Sequence, residues 1–451
     1  MNIYKLCICI VFSALLSSCQ VSAKIRGRED EKQRKTQTKI LSNGSILPLV
    51  GVGVGNLAHD QIPSTVENFI QKGGRLIDTA RASRNEHIIS KAIGQASSSA
   101  SGDRVIHVVT KVWYTHLGYE RTKYSIEESL KDLSVGNQDM DVQVHLLLHW
   151  PRCNDEIEWM NCKQEEEQLS PSIKSLGPPP HLNYNAWKES WKAMEEAYEK
   201  SQELKRSEKG KMKQVLIESI GVSNFEMEDM RALLSESSIK PHLYQGNVWK
   251  VVHDPKLMDL LERYNVTFQA YNVMNGVIGQ HDSAPNAYTI LSSIGGTLMQ
   301  MDTTIKRKIT ASMVVNAWLV QQGISIIPRA SSSHHKDENL PSSIEIVPQL
   351  NEEQNQQIVK AVSALMRGQD VTVSATFQND SQRHVQLHWI DGRNGEEFPV
   401  TEMVAPNSKA SIQSHPGHKF VAYDGKKIFR QEFTVTASYG KEQHFTVQEE
   451  L

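Results

Sequence analysis

The sequence of 451 residues predicts a large parallel α/β domain followed by a small, separate all-β sandwich. Short apolar runs alternate with helical patterns from Thr38 to about Gly368, which is typical of a (β/α)8 barrel or a doubly wound sheet. After Gly368 only strand-like runs remain, separated by Asn, Asp, Gly and Pro turns. This change predicts a sandwich of about 80 residues.

Composition supports a folded chain and argues against one class of partner. Hydrophobic residues make up 39% and charged residues 22% of the sequence, and 49 Lys and Arg stand against 52 Asp and Glu, for a net charge of −3. Such a balance supplies no positive field to attract nucleic acid or an anionic membrane. We expect no nucleic-acid partner.

The N-terminus reads as a secretory signal peptide over residues 1–23. Lys5 precedes the apolar stretch Leu6–Leu16, and the small residues Val21–Ala23 fit a cleavage site. The stretch is too short to span a bilayer, which takes about 20 residues. A retained anchor and a bacterial lipoprotein box ending at Cys19 are the alternatives. The mature protein is expected to be secreted or lumenal, without a membrane span, and to begin with a flexible, charged leader over residues 24–37.

The elements of the first domain follow from local patterns. The helical repeat of Ile309, Met313, Ala317 and Val320 ends before Gly323, which is well placed to stop a helix. Buried strands are predicted at Arg75–Ala80, Val105–Lys111, Val142–Trp150, Ser219–Ser223, Thr267–Tyr271 and Ile324–Pro328. In the sandwich, strands are predicted at Val371–Phe377, Val385–Ile390, Lys409–Ser414, Lys419–Tyr423 and Glu432–Ser438.

Two polar stretches, residues 152–183 and 201–214, interrupt the pattern and read as surface insertions or a helix extension. The first contains Cys153 and Cys162. In an oxidising lumen these cysteines could close a disulfide contributing about 2–3 kcal/mol, and two free thiols are the alternative. No metal site is predicted.

Three polar side chains stand where predicted strands end. Asp78, Lys111 and His149 each close an apolar run, so in a barrel they would meet at the C-terminal rim, where such enzymes do their chemistry. A buried Lys needs a carboxylate partner or loses its charge, which makes an Asp78–Lys111 pair with His149 as donor or acid physically reasonable.

Short motifs around these residues resemble the aldo-keto reductase family over about residues 38–366. They are Leu41–Gly44, Gly74–Ala80 with Asn85–Glu86, Thr110–Trp113, Leu148–Pro151, Gly221–Phe225, and Pro328–Arg329 with Glu338–Asn339. The resemblance implies a (β/α)8 TIM barrel of aldo-keto reductase type, which binds NADP(H) without a Rossmann glycine loop. It also implies reduction of a small carbonyl substrate, an aldehyde or ketone, to an alcohol.

The resemblance implies catalytic roles for Asp78, Lys111 and His149, but Ser83 stands where the family has a proton-donating Tyr. A serine hydroxyl is shorter and less acidic than a phenol, and loss of a positioned acid costs about 10²- to 10⁴-fold in rate. Three outcomes stay open. The proton comes from His149 or water, Tyr114 replaces the phenol, or the barrel is a pseudoenzyme or scaffold that only binds.

The same resemblance assigns a cofactor site. Its members are Ser223, Asn224 and Gln245 for the carboxamide, Tyr271 for stacking on the nicotinamide, Arg329 and His335 beside the 2′-phosphate, and Glu338 and Asn339 for adenine. His335 stands where the family has Arg and is mostly uncharged at neutral pH. NADP(H) is the expected cofactor, with NAD(H) as the alternative.

Trp113 and Trp150 follow Lys111 and His149 and are expected to line an apolar carbonyl pocket, or else to be structural rim residues. The insertion 152–183 directly follows His149 and could cover or narrow the mouth of that pocket.

Residues 370–451 resemble the β domain of the von Hippel–Lindau protein. The matching text includes Gln378–Ser381, Val385–Gly392 and Ser414–Phe420. The resemblance implies a peptide-binding set of Ser414, His418, Phe398 and Phe420, where the last two replace the family's Tyr and Trp. Peptide or protein binding and a purely structural appendage are both open.

Overall fold

The computed structural model describes residues 37–97, 104–136, 140–207, 215–329, 332–392, 395–415, 417–424, 430–435 and 443–448. The predicted signal peptide and all but the last residue of the leader lie outside these ranges. A hairpin of β1 (Thr38–Ile40) and β2 (Ile46–Pro48) opens the described chain. Its Leu41 and Leu47 are buried against Leu76, Val109 and Leu147 from the strands that follow, so the hairpin covers one end of the sheet.

Eight parallel strands form the main sheet, each paired with its neighbour in chain order. They are β3 (Val52–Gly53), β4 (Leu76–Asp78), β5 (Val105–Val112), β6 (Asp141–Leu148), β7 (Val215–Ser223), β8 (Leu243–Asn247), β9 (Thr267–Tyr271) and β10 (Ser325–Ile326). A parallel bridge between Val50 and Ile326 joins the two ends of the sheet. The sheet is therefore a (β/α)8 barrel, and the predicted fold class is confirmed.

Helices surround the barrel and fill its connections. They are α1 (Ile62–Gln71), α2 (Glu86–Ser97), α3 (Tyr119–Ser134), α4 (Cys162–Glu167), α5 (Pro171–Lys174), α6 (Ala186–Ser207), α7 (Met227–Glu236), α8 (Trp249–His253), α9 (Pro255–Arg263), α10 (Val273–Gly276), α11 (Pro285–Met301), α12 (Ala311–Gln321), α13 (Ser333–Glu338), α14 (Pro341–Glu345) and α15 (Glu352–Arg367). Among the described helices, none combines the length and the apolar character needed to cross a membrane.

The predicted helix around Met313 is α12, and its ends follow from local chemistry. The Thr310 side chain accepts a hydrogen bond from the Met313 amide, which caps the first turn. Gly323, with φ of 75°, follows the last turn, a conformation that glycine adopts without steric cost.

The two predicted insertions fold differently. Residues 201–207 extend helix α6, while residues 208–214 lie outside the described ranges. The stretch 152–183 forms α4 and α5, and a disulfide joins Cys153 to Cys162 with their Cα atoms 5.8 Å apart. Glu166 of this stretch is buried and accepts two hydrogen bonds from Arg121, so the insertion is tied into the barrel by a buried ion pair.

The C-terminal region forms two packed sheets. The strands are β11 (Val373–Asn379), β12 (Val385–Ile390), β13 (Glu397–Pro399), β14 (Lys409–Ser414), β15 (Lys419–Asp424), β16 (Arg430–Thr434) and β17 (Gln443–Val447). Their order is β14-β11-β17 in one sheet and β13-β12-β15-β16 in the other. Phe377, Leu387, Phe420 and Phe433 pack between them. Strands β13 and β17 were not among the predicted runs.

Candidate active site

Asp78, Lys111 and His149 lie together at the C-terminal ends of strands β4, β5 and β6. All three line one cavity of about 720 Å³. The Lys111 ammonium donates to Asp78 Oδ1 at 2.7 Å and to the Thr79 carbonyl at 2.6 Å. The strand ends thus bring together the ion pair and the imidazole that the sequence predicted.

Burial governs the protonation of this group. Desolvation raises the pKa of Asp78, while the charge of Lys111 and hydrogen bonds from Lys111 and Gln245 act in the opposite direction. Burial, with a smaller contribution from the Lys111 charge, lowers the pKa of His149 well below its ordinary value. His149 is therefore a neutral imidazole at physiological pH.

Ser83 also lines the cavity, from a short 3₁₀ turn, Arg81–Ser83. It lies against Gly55, where an added Cβ would stand 3.2 Å from the Ser83 Oγ. Tyr114, the suggested substitute for the phenol, is buried outside the lining of the cavity, and its hydroxyl donates to Glu165. Burial and Glu165 raise the pKa of Tyr114, so the structure does not bring this phenol to the site.

The residues assigned to the nicotinamide end lie side by side. Asn224, Gln245 and Tyr271 line the cavity, and the Tyr271 hydroxyl donates to Asn224 Oδ1 at 2.8 Å. Asn224 Nδ2 donates to Ser223 Oγ and to the His149 carbonyl. Burial raises the pKa of Tyr271 to about 12. This phenol therefore stays protonated and can keep donating to Asn224.

Gln245 has partners that the sequence did not indicate. Its amide nitrogen donates to Asp78 Oδ1 at 2.7 Å and to Gln269 Oε1 at 2.8 Å, and Gln269 in turn donates to Ser325. A chain of buried hydrogen bonds therefore runs from Asp78 through the barrel interior. Gln245 supports the carboxylate as well as facing the cavity.

The residues assigned to the adenine end are arranged around one short helix. Arg329 lines the cavity, is exposed and donates to the Asn56 carbonyl. Glu338, which is buried, contacts His335 at 2.9 Å and His334 at 3.4 Å. Asn339 is buried, and its Nδ2 has no partner among the described residues.

The side chains that line the cavity fit the nicotinamide and phosphate groups of a dinucleotide. Tyr271 offers an aromatic face, Asn224 lines the cavity, and the exposed guanidinium of Arg329 has donors for a phosphate. Ser223 is buried and is not among the residues that line the cavity. His335, Glu338 and Asn339 are not among the residues that line this cavity. The residue after Arg329, Ala330, lies outside the described ranges.

Trp113 and Trp150, which were predicted to line a substrate pocket, do line the cavity. A third tryptophan, Trp159, lines it from the insertion 152–183. Trp159 is not among the residues that the sequence predicted for this site. The signal that could have found it is its position between Cys153 and Cys162, in the insertion that follows His149.

In the sandwich, three of the four predicted peptide-binding residues lie close together, around a tryptophan that was not assigned a role. Trp389 stacks on Phe398 with ring centroids 6.0 Å apart and contacts His418 at 5.4 Å, and Ser414 Oγ lies 3.1 Å from His418 Nδ1.

The assignment of Phe420 is wrong. Its side chain is only 2% exposed and packs edge to face against Phe377. Phe420 lies in the sandwich core because its strand turns that face inward, and it is out of reach of a ligand at the surface.

Comparisons with known proteins agree with this geometry. Residues 50–363 match the Aldo/keto reductase family. The chain is 28% identical over 295 residues to aldose reductase B of Dictyostelium discoideum, covering 65% of this chain and 83% of that protein. It is 24% identical over 305 residues to a glyoxal reductase of Bacillus subtilis, covering 66% and 84%.

Solved structures show the same fold. The aldose reductase of Schistosoma japonicum superposes with a TM-score of 0.52 at 21% identity, over 73% of this chain and 96% of that one. An aldo-keto reductase complexed with NADPH gives a TM-score of 0.52 at 22% identity, over 74% and 88%. With more than half of its length matched by the family, the chain belongs to the aldo/keto reductase family.

Proposed function

We propose that this chain is an NADP(H)-dependent oxidoreductase that reduces a small aldehyde or ketone to an alcohol. The observation that supports this most is the meeting of Asp78, Lys111 and His149 in one cavity with Asn224 and Tyr271. Relatives named aldose reductase and glyoxal reductase, and a structural relative complexed with NADPH, point the same way. NAD(H) is the alternative cofactor, because the 2′-phosphate side relies on Arg329 and on His335, whose ring already contacts Glu338.

The proposed roles follow from hydrogen-bonding capacity. A bound dihydronicotinamide supplies a hydride for the carbonyl carbon. The neutral imidazole of His149 has one N–H and orients the carbonyl oxygen. Lys111 uses two of its three N–H groups on Asp78 and Thr79, so the third can hydrogen-bond a solvent water beside Ser83. That water gives the carbonyl oxygen its proton, and Lys111 stabilises the charge left behind.

The absence of a phenol at position 83 makes this reaction slow. It also leaves open a second function, in which the barrel binds nucleotide without turnover. A barrel that binds nucleotide but does not turn over would act as a pseudoenzyme or scaffold. Both hypotheses share the nucleotide site, so binding alone does not separate them. Turnover and its response to a restored phenol do.

The test is oxidation of NADPH by the full mature chain with a panel of small aldehydes and ketones, alongside the rise in melting temperature that NADPH causes. For Ser83→Tyr we expect a rate increase of up to about 10²- to 10⁴-fold, because a positioned acid is worth that much. Ser83→Phe is the matched control, since it adds the ring without the hydroxyl and should not accelerate. Stabilisation by NADPH without turnover in either wild type or Ser83→Tyr would favour the scaffold.

We propose peptide or protein binding as the function of the sandwich, in keeping with its resemblance to the von Hippel–Lindau β domain. Phe398 is 44% exposed and stacks on Trp389. Val400 and Met403, which follow it in the chain, are also exposed. His418 and Ser414 supply hydrogen-bonding groups beside this apolar surface. Pull-down with the full chain tests the assignment. Phe398→Ala is the test variant, and His444→Ala, on another strand, is the control.

A secretory location is also proposed. The predicted signal peptide and the Cys153–Cys162 disulfide support it, because disulfides persist in oxidising compartments. Expression in a eukaryotic secretory host with and without residues 1–23 tests it. Export of the chain only when these residues are present is the expected result, and retention in the cytosol in both cases would contradict it.

A further inference from the structure

Two histidines and a glutamate come together on helix α13, outside the lining of the large cavity. His334, His335 and Glu338 each offer one atom able to bind a metal ion, and these atoms all lie within 4.8 Å of one another. The histidines precede Glu338 by four and three positions, so both are its neighbours on the surface of the helix. This group is here called the His–Glu cluster.

The distances within the His–Glu cluster match those between the ligands of one metal ion. Nδ1 of His335 lies 2.9 Å from Oε2 of Glu338, and Nε2 of His334 lies 3.4 Å from Oε1. The second distance is longer than the range of about 2.7–3.2 Å that is usual for a hydrogen bond from a nitrogen. The two distances lie on either side of about 3.3 Å, the separation of two ligands around a tetrahedral zinc ion with bonds of about 2.0 Å.

The carboxylate of Glu338 is buried without a fixed positive partner. Its side chain is 4% exposed, whereas those of His334 and His335 are 73% and 61% exposed. Among the described residues, these histidines are the only basic side chains that contact it, because Lys336 contacts Thr65 instead. Burying a carboxylate is costly unless a positive charge compensates it. A divalent cation would supply that charge, and the two exposed rings give it access from solvent.

The ligand atoms of the His–Glu cluster favour zinc over calcium or magnesium. Two imidazole nitrogens and one carboxylate oxygen are a set typical of zinc sites in which water takes the fourth position. Calcium and magnesium take about six or more ligands, most of them oxygen, and the cluster offers too few. Copper and nickel share the preference for imidazole, so they are expected to compete with zinc here.

We propose that His334, His335 and Glu338 form a zinc-binding site on helix α13. The exposed rings capture the ion, and the buried carboxylate anchors it. The site goes beyond the proposed function, because it needs neither a nucleotide nor a carbonyl substrate.

Calorimetric titration of Zn²⁺ into the full mature chain, without a histidine tag, tests the inference. The buffer contains no nucleotide, whose phosphates bind zinc, and no thiol, which would reduce the Cys153–Cys162 disulfide and free two competing ligands. We expect one zinc ion per chain and no comparable binding of Mg²⁺ or Ca²⁺. His334→Ala and His335→Ala should each weaken zinc binding at least about tenfold, because loss of even an outer partner of a metal ligand costs about 10- to 100-fold.

The matched control is His281→Ala. His281 is also an exposed histidine beside a carboxylate, at 3.2 Å from Asp282, but it belongs to no group of three such ligands among the described residues. This variant should keep the wild-type affinity and stoichiometry. Glu338→Gln should weaken zinc binding as the histidine variants do. If that buried substitution prevents folding, His334→Ala still decides the question, because it changes a largely exposed side chain.

A second measurement is the rise in melting temperature that zinc causes, because an ion that binds only the folded chain stabilises it. The rise should be larger for wild type and His281→Ala than for His334→Ala. The inference is overturned if wild type shows no saturable zinc binding, or if both histidine variants of the cluster bind zinc as tightly as wild type. Equal losses in His281→Ala and His334→Ala would mean nonspecific binding by surface histidines and would also overturn it. NADPH oxidation is measured separately, so the proposed function can fail while the zinc site stands, and the reverse.

Discussion

The Asp78–Lys111 pair sets the electrostatics of the cavity, and its energetics are those of two buried charges. Both side chains are almost completely buried and meet at 2.7 Å. Removing one member of a buried pair leaves the other without compensation, at a cost of about 3–5 kcal/mol. The pair should therefore matter to folding as well as to chemistry.

Lys111→Met is expected to lower the free energy of unfolding by about 3–5 kcal/mol and to abolish NADPH oxidation. The double variant Asp78→Asn with Lys111→Met removes both charges and should regain much of that stability without regaining activity. Urea unfolding of the two single variants and the double variant measures the coupling. Additive losses would mean that the two charges do not interact as the structure shows.

A second prediction at this scale concerns pH. Burial lowers the pKa of His242 from 6.5 to about 4, and a hydrogen bond to Ile220 partly opposes the shift. As pH falls, His242 binds a proton near pH 6.5 in the unfolded chain but only near pH 4 in the folded chain. Stability from the neutral imidazole is thus fully present above pH 6.5 and is lost as pH falls towards 4, by up to about 1.4 kcal/mol per pH unit.

His242→Gln should remove this contribution to the pH dependence. The free energy of unfolding, measured from neutral pH to about pH 4, should fall less steeply for the variant than for wild type. His281→Gln, at an exposed histidine, is the control for the loss of a histidine side chain. Equal slopes for wild type and His242→Gln would contradict the assignment.

Single residues differ in how far the sequence reveals them. Asp78, Lys111 and His149 are predictable because each ends an apolar run, and parallel strands bring their ends together. Phe420 was misassigned because both Phe420 and Val421 of its strand are buried, so alternation does not say which side chain faces outward. The Gln245 contact with Asp78 joins residues 167 positions apart, and no local pattern encodes it.

At the scale of elements, the insertion 152–183 behaves as part of the barrel. Its polar composition predicted a surface insertion or a helix extension, yet Glu166 is buried and accepts from Arg121 Nη1 at 2.8 Å and Nη2 at 2.9 Å. Bidentate pairing of this kind fixes orientation as well as position. Helix α4 therefore serves as an anchor for the loop that carries Trp159.

Glu166→Ala is expected to lower the free energy of unfolding by about 3–5 kcal/mol, because it leaves the Arg121 guanidinium buried without a counter-charge. The matched control is Glu167→Ala, the exposed next residue on the same helix, which should change stability by less than about 0.5 kcal/mol. Urea denaturation compares them. A small effect of Glu166→Ala would mean that water reaches Arg121.

Strands are easiest to predict where apolar side chains are contiguous. Strands β5 and β6 are long and buried on both faces, which produces the apolar runs. Strand β8, Leu243–Asn247, turns Gln245 into the barrel interior, and this polar residue interrupts its apolar pattern. Strand β3 has only two residues, too few for any periodicity.

For the whole molecule, the change from alternating helices and strands to strands alone predicted the two architectures but not how they are joined. The junction follows helix α15, which ends at Arg367. Val371 packs into the core of the barrel, and its carbonyl oxygen lies 2.6 Å from Nδ1 of His415 in the sandwich. The first residues after the barrel therefore contact both the barrel and the sandwich.

Asp370 is the residue of this junction whose removal should be most informative. Its carboxylate accepts hydrogen bonds from the backbone amides of Asn286 at 3.1 Å and Ala287 at 3.0 Å, at the start of helix α11. The residue that precedes that helix, Ala284, has no side chain able to cap it. Asp370 thus acts as a cap supplied from far along the chain, and its charge also suits the positive end of the helix dipole.

Asp370→Ala is expected to destabilise the barrel by about 1 kcal/mol, within the range for lost helix caps, and to make the junction more open to proteolysis. Asp282→Ala, at an exposed carboxylate shortly before α11, should change neither quantity. Thermal unfolding and limited proteolysis of the full chain measure both effects. Faster cleavage near residue 370 without loss of barrel stability would mean that Asp370 holds the sandwich alone, whereas loss of stability without faster cleavage would mean that Val371 and His415 suffice to hold the junction.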